Sequence, residues 1–208
     1  QPTGDRYFSY WSGYLEPEEA IGSLESLSSA GCLLVDGTLC PTALPAAQEA
    51  KRLGLPVVGD VGKINQDVRA LMQHMDYAIA SENCAAALGT GHDYRKACEV
   101  IQAMGPQHVV LTLGDEGLVY LSGDRFGEMK AFPVDVVDTT GAGDVFHGAF
   151  CYGLVAGFPL EKRLAFASAT AAMKCRRLGG RAGVPGRPEV EQFLKDRQAR
   201  SAIREDCR

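Results

Sequence analysis

The run Asp138-Thr139-Thr140-Gly141-Ala142-Gly143-Asp144 is followed at once by an apolar helical pattern: Val145, Phe146, Ala149, Phe150 and Leu154. A polar turn with two glycines that opens a helix aims free backbone N–H groups and the positive end of the helix dipole at one spot. That spot suits an anion. Asp144, in the same turn, would repel an anion rather than bind it. It makes sense as a base that takes the proton of a hydroxyl about to attack phosphorus. An anion cradle beside a carboxylate base is the minimum equipment for phosphoryl transfer to an alcohol. A plainer use is a tight turn capped by Asp138 or Thr139. Neither common nucleotide cradle fits. A dinucleotide fingerprint would need glycine where Phe146 stands, and no Gly-Lys-Ser/Thr follows as in a Walker loop.

Such residues need a scaffold, and the chain supplies an alternation of short apolar runs and helical patterns. Residues 32–35, 57–59, 77–80 and 108–113 read as strands. Residues 42–53, 65–73 (with Asn65 as a cap), 82–88 and 93–104 read as the helices around them, the last stopped by Gly105-Pro106. The alternation predicts a parallel sheet covered on both faces. Residues 118–121 and 128–132 then flank a turn at 122–127 and read as a hairpin. Two long helical patterns, 142–156 and 160–178, follow the glycine turn. A polar loop at 179–188 leads to a last helix near 189–197, and 197–208 reads as a solvated helix end or a disordered tail. In open α/β sheets, ligands sit beyond the carboxyl ends of the strands. Asp36, Asp60, Ser81, Gly114 and the glycine turn all follow strands, so they converge on one edge.

Composition narrows the function. The 208 residues carry a formal net charge of −5 and no basic stripe, which argues against nucleic acid as a partner. No apolar run reaches membrane-spanning length, and no leader is read at the start, so no membrane partner is expected. The cysteines are seven and make no Cys-x-x-Cys pair. Cys32, Cys98, Cys151 and Cys175 sit in apolar surroundings, so reduced, buried, structural thiols of a cytoplasmic protein are expected. Lys174 and Arg181 read as solvated basic side chains, and His147 as a packing or surface histidine.

The heptapeptide resembles the C-terminal signature of the ribokinase-like carbohydrate kinases, the PfkB family. Val109-Val110-Leu111-Thr112-Leu113-Gly114-Asp115-Glu116-Gly117 resembles that family's strand and glycine turn under the nucleotide phosphates. Val57-Val58-Gly59-Asp60 resembles its strand ending beside the active site. Ala171 to Cys175, then Gly179 to Pro185, resembles its adenine-side helix and following loop. Order and spacing agree from about 31 to about 194. The resemblance implies an α/β fold: a three-layer αβα Rossmann-like sheet, mostly parallel, with a remnant of a β-lid at the N-terminus. Residues 1–14 would be that lid strand, and 15–208 the nucleotide-binding core without the family's N-terminal sugar-gripping part. Tyr7, Phe8, Tyr10 and Trp11 would form an aromatic edge suited to a homodimer contact.

The resemblance also assigns roles. Asp144 would be the base, with the backbone of Gly141, Ala142 and Gly143 as the anion hole. Thr112, Gly114 and Gly117, with Gly180 and Gly183, would line ATP. Glu82 would help with Mg2+. Asp138 and Thr140, with carbonyls near Gly180, would hold a monovalent cation such as K+, against the plainer reading of Asp138 as a turn cap. Arg6, with Asp144, would meet the substrate, a small sugar or sugar acid. The chain departs from the family's Asn-Glu-x-Glu turn, reading Ser81-Glu82-Asn83-Cys84. Two readings stay open: a sugar kinase, or a nucleotide-binding or structural remnant of the fold, including a piece of a longer kinase.

Overall fold

The computed structural model describes residues 24–37 and 40–205, with side chains through 197. The expected lid strand 1–14, with Arg6 and its aromatic edge, lies outside the described residues. After a 3-10 turn at Leu24–Ser29, β1 (Leu33–Asp36), β2 (Val57–Val61), β3 (Tyr77–Ser81) and β4 (His108–Thr112) pair in sequence order and parallel. β5 (Leu118–Ser122) and β6 (Arg125–Met129) complete the six-stranded sheet as antiparallel neighbours. The middle strands are buried along nearly their whole length, as parallel strands covered on both faces must be.

Helices α1 (Cys40–Arg52), α2 (Gln66–Met72), α3 (Glu82–Ala87) and α4 (Tyr94–Gln102) join the parallel strands. Two start on side-chain caps. Asn65 accepts the Val68 N–H at 2.8 Å, as the sequence predicts, and Asp93 accepts that of Lys96 at 2.9 Å. α5 (Ala142–Val155), α6 (Leu160–Lys174) and α7 (Arg187–Glu205) follow the sheet.

Alternate strand residues feed two separate cores. Val57, Val61, Ala78, Ala80, Val109 and Leu111 pack with Ala47, Leu71, Met72 and Ile101 from α1, α2 and α4. Val58, Ile79 and Val110 pack with Phe146, Phe150, Leu164, Ala167 and Val190 from α5, α6 and α7. Helices therefore cover both faces of the sheet, giving the three layers expected. Among the described residues, no helix is long and apolar enough to cross a membrane.

The boundaries that bear on the site differ from the sequence reading at three places. The hairpin turn is only Gly123-Asp124, because Arg125 already pairs with Ser122, and β6 stops at Met129 rather than running to 132. α6 ends at Lys174, four residues short of 178, because the Cys175 carbonyl accepts the N–H groups of Val137 and Asp138 at 2.8 and 3.1 Å. That bond brings the segment before the glycine turn against the end of α6. α7 starts two residues earlier than expected and continues to Glu205. Its exposed face carries the i,i+4 pairs Arg187–Glu191 and Gln192–Asp196.

Candidate active site

The glycine turn is held from behind. The Asp138 carboxylate accepts the Thr140 N–H at 2.8 Å on one oxygen and the Gly179 N–H at 2.7 Å on the other. These backbone bonds, ahead of a smaller contribution from the Lys174 charge, hold its carboxyl down at about 2. Lys174 is fully buried, and its Nζ donates to the Asp138 carbonyl at 2.9 Å. It is not the solvated basic side chain its sequence suggested. Arg181 is exposed.

Gly141 caps α5 in the left-handed region, with φ of 73°. A side chain there would be strained, and a Cβ would stand 3.4 Å from the Gly180 backbone and 3.6 Å from the Asp144 Oδ2. The turn and the loop after α6 thus lie side by side, with the Asp144 carboxylate folded back toward the turn. The donors differ by one from those expected. Ala142 spends its N–H on the Thr139 carbonyl at 3.1 Å. Among the described residues, the N–H groups of Gly141, Gly143 and Asp144 meet no acceptor. Three undirected donors at a helix start make an anion seat. Asp144 itself is exposed, so its carboxylate is open to a ligand.

Strand ends bring two more carboxylates. Asp36 and Asp60 are register partners at the ends of β1 and β2. Burial pushes the Asp60 carboxyl up; His147 opposes this, and the charges of Asp144 and Asp36 add to it. The three aspartates therefore share one field although they come from three elements. His147 is 7% exposed, so it is a core residue. Its Nδ1 lies 2.7 Å from the Gly143 carbonyl, which can only accept, so this nitrogen carries the proton. Its Nε2 is buried without a hydrogen-bond partner and faces the Asp60 Oδ1 at 3.6 Å. The histidine packs, as expected, but it also braces the turn from the side of Asp60.

The residues expected on the nucleotide side divide. Gly114, exposed, with φ of 61° and open space where a Cβ would stand, leaves a clear approach at the end of β4. Gly117 is fixed by packing instead: with φ of 108°, a Cβ there would collide with the Met129 carbonyl. Gly183 is buried, and a Cβ on it would collide with the Lys174 carbonyl. Thr112 donates its hydroxyl to the Ala80 carbonyl at 3.3 Å, tying β4 to β3. Glu82, exposed at the start of α3, accepts the Tyr94 hydroxyl at 2.7 Å. Cys84 is buried in the core, 2% exposed. Among the described residues, no three His, Cys, Asp or Glu side chains are grouped to hold a metal ion. A Mg2+ arriving on a polyphosphate needs only one or two carboxylates, and Glu82 fits that lesser demand.

Comparison with known proteins points to one family. Residues 2–187 match the model of the pfkB family carbohydrate kinases. The chain is 27% identical over 181 residues to the ribokinase of Bacillus subtilis (strain 168), covering 86% of this chain and 60% of that protein. It superposes on the crystal structure of a Thermotoga maritima ribokinase with a TM-score of 0.75 and 31% identity, covering 86% of this chain and 62% of that one. An Arabidopsis thaliana ribokinase solved with ribose and ATP gives a TM-score of 0.76 at 29% identity, with 83% and 58% covered. The chain thus spans about three fifths of the length of these relatives.

Proposed function

The chain belongs to the pfkB family of carbohydrate kinases, and from that premise we propose that it carries the phosphoryl-transfer centre of an ATP-dependent kinase. The acceptor is the hydroxymethyl group of a small sugar or sugar acid. One observation carries this reading: an exposed carboxylate, Asp144, stands in the same helical turn as three backbone N–H groups without acceptors.

In the reaction, Asp144 takes the proton of the acceptor hydroxyl as its oxygen attacks the γ-phosphorus of ATP. The N–H groups of Gly141, Gly143 and Asp144 hold the equatorial oxygens of the moving phosphoryl group. A positioned base contributes roughly a hundredfold to ten-thousandfold. Asp36 and Asp60 line the side from which the alcohol enters, and their acceptor oxygens suit sugar hydroxyls. The open approach at Gly114 and the loop around Gly180 receive the nucleotide. When bound with ATP, Mg2+ would supply charge neutralisation on the phosphates, and Glu82 would be the carboxylate that serves it. Asp138, Thr140 and the Gly180 carbonyl form the place for a monovalent cation such as K+. The two N–H bonds to Asp138 supply its structural role without one.

A second reading rests on Cys84. Its thiol is sealed in the core at the turn where relatives by resemblance carry a carboxylate, which favours a chain that binds nucleotide without turning it over. Transfer of labelled γ-phosphate from ATP to a panel of sugars, beside nucleotide binding by calorimetry, separates the two. Transfer abolished in Asp144→Asn supports the kinase. Tight nucleotide binding with no transfer to any sugar supports the second reading.

A further inference from the structure

Cys32 immediately precedes β1, and Cys151 lies seven residues, two helical turns, beyond Asp144 on α5. The two thiols are far apart in the chain yet close enough in the fold to shift each other's ionisation. The approach of strand to helix is not confined to them. One residue earlier, a Cβ on Gly31 would stand 2.7 Å from the Val155 Cγ2, and Val155 is one turn beyond Cys151 on the same helix face. A glycine at 31 thus lets the entry to β1 lie directly against α5. Both thiols are half-buried, whereas Cys40, Cys84, Cys98 and Cys175 are buried. Cys207 lies outside the described residues.

We propose that Cys32 and Cys151 form a redox-modification site, at which a disulfide oxidant of low molecular weight cross-links the entry of β1 to the helix that carries Asp144. The roles follow from their mutual effect: the neighbouring Cys151 thiol holds that of Cys32 down at about 7, while Cys32 and burial push that of Cys151 up. Cys32 is therefore the attacking thiolate. Its sulfur displaces one thiolate from glutathione disulfide and forms a mixed disulfide. The Cys151 sulfur then attacks the Cys32 sulfur and expels the second glutathione. Two protein thiols are oxidised, one glutathione disulfide is reduced to two glutathione thiols, and the two protons pass to those leaving thiolates. The sulfurs must close to a bond of about 2.05 Å, a movement that side-chain rotation of two half-buried residues can supply.

The bond would tie together two elements that each carry a site carboxylate, Asp36 at the end of β1 and Asp144 in the first turn of α5. The site is independent of the kinase reading, since it requires only the two thiols and the packing of β1 on α5.

The test is exposure of the folded 208-residue chain to glutathione disulfide, followed by alkylation and peptide mapping by mass spectrometry. The expected product is 2 Da lighter than the reduced chain, carries a Cys32–Cys151 linked peptide, and returns to thiols with dithiothreitol. Cys151→Ser should stop the reaction at a glutathione adduct on Cys32, and Cys32→Ser should leave Cys151 unmodified. In guanidinium the selectivity for this pair should vanish. Free thiols at both positions in the treated native chain would overturn the proposal. So would a stable glutathione adduct on Cys32 with Cys151 intact, or linkage of either cysteine to another partner.

Discussion

The Asp138 carboxylate accepts the Gly179 N–H at 2.7 Å and so ties the turn that opens α5 to the loop that follows α6. Its second oxygen takes the Thr140 N–H inside the turn. One ionised side chain thereby sets the distance between the two glycine segments of the site. Its folded-state carboxyl is held down at about 2, below an ordinary aspartate near 3.9. Its contribution is therefore complete above about pH 4 and is lost as pH falls toward 2. Acid unfolding followed by circular dichroism should show this dependence. Asp138→Asn keeps one acceptor oxygen and should flatten the stability curve across that window.

Asp60 should behave with the opposite sign. Burial first, with Asp144 and Asp36 behind it, raises its folded-state carboxyl, and His147 offsets part of the rise. The folded state then holds its proton to higher pH than the unfolded chain does. Its contribution to stability falls as pH rises from the ordinary aspartate value through the raised one. Carboxyl titration by NMR should find Asp60 above the normal range. Asp144→Asn should lower it by removing a like charge, and His147→Leu should raise it further.

His147→Leu also tests the bracing of the turn. The substitution preserves apolar packing but leaves the Gly143 carbonyl without its 2.7 Å partner. A loss of about 0.5–1.5 kcal/mol is expected for one hydrogen bond removed from an acceptor that keeps its helix partner, read as a lower urea midpoint. Turnover should drop while nucleotide affinity stays within a few-fold, since the histidine acts on the turn and does not touch the nucleotide approach at Gly114.

Gly141→Ala should cost about 1–2 kcal/mol, the price of placing an L side chain in the left-handed region. The added methyl would rest in ordinary contact with the Gly180 backbone and the Asp144 carboxylate, so the cost lies in the backbone. Phosphoryl transfer should fall more steeply than melting temperature. An equal, small loss in both would mean that the turn is structural only.

Tyr94 reports on Glu82. The hydrogen bond to that carboxylate pushes its phenol up to about 12. Glu82→Gln should bring Tyr94 back toward the ordinary value of about 10, measured by tyrosine ring NMR through an alkaline titration. If Glu82 also serves Mg2+, the same variant should require more Mg2+ for half-maximal transfer.

The layered sheet was legible because each strand is a short apolar run and each helix has a period and a stop. Asn65 and Gly105-Pro106 marked boundaries by local chemistry alone. Part of the site was legible for the same reason: Asp36 and Asp60 lie at strand ends, where the charges of Asp36 and Asp144 reach Asp60, whereas the glycine turn follows β6 only after a stretch without strand. What stayed hidden depends on tertiary partners. Lys174 reads as a solvated cation until α6 is seen to bury it under the Asp138 carbonyl. Gly117 reads as a phosphate glycine, yet the Met129 carbonyl dictates it. The Ala142 N–H is lost to Thr139 through a local turn whose geometry the residue types do not reveal. The Cys32–Cys151 contact spans most of the chain and leaves no local pattern.

The central claim is that Asp144 is the base, and the most direct measurement is single-turnover phosphoryl transfer by the unmodified chain and by Asp144→Asn, with ATP affinity measured on the same samples. The account predicts a fall of roughly a hundredfold to ten-thousandfold in the transfer rate, with ATP affinity nearly unchanged. Equal transfer rates in the two proteins would contradict it.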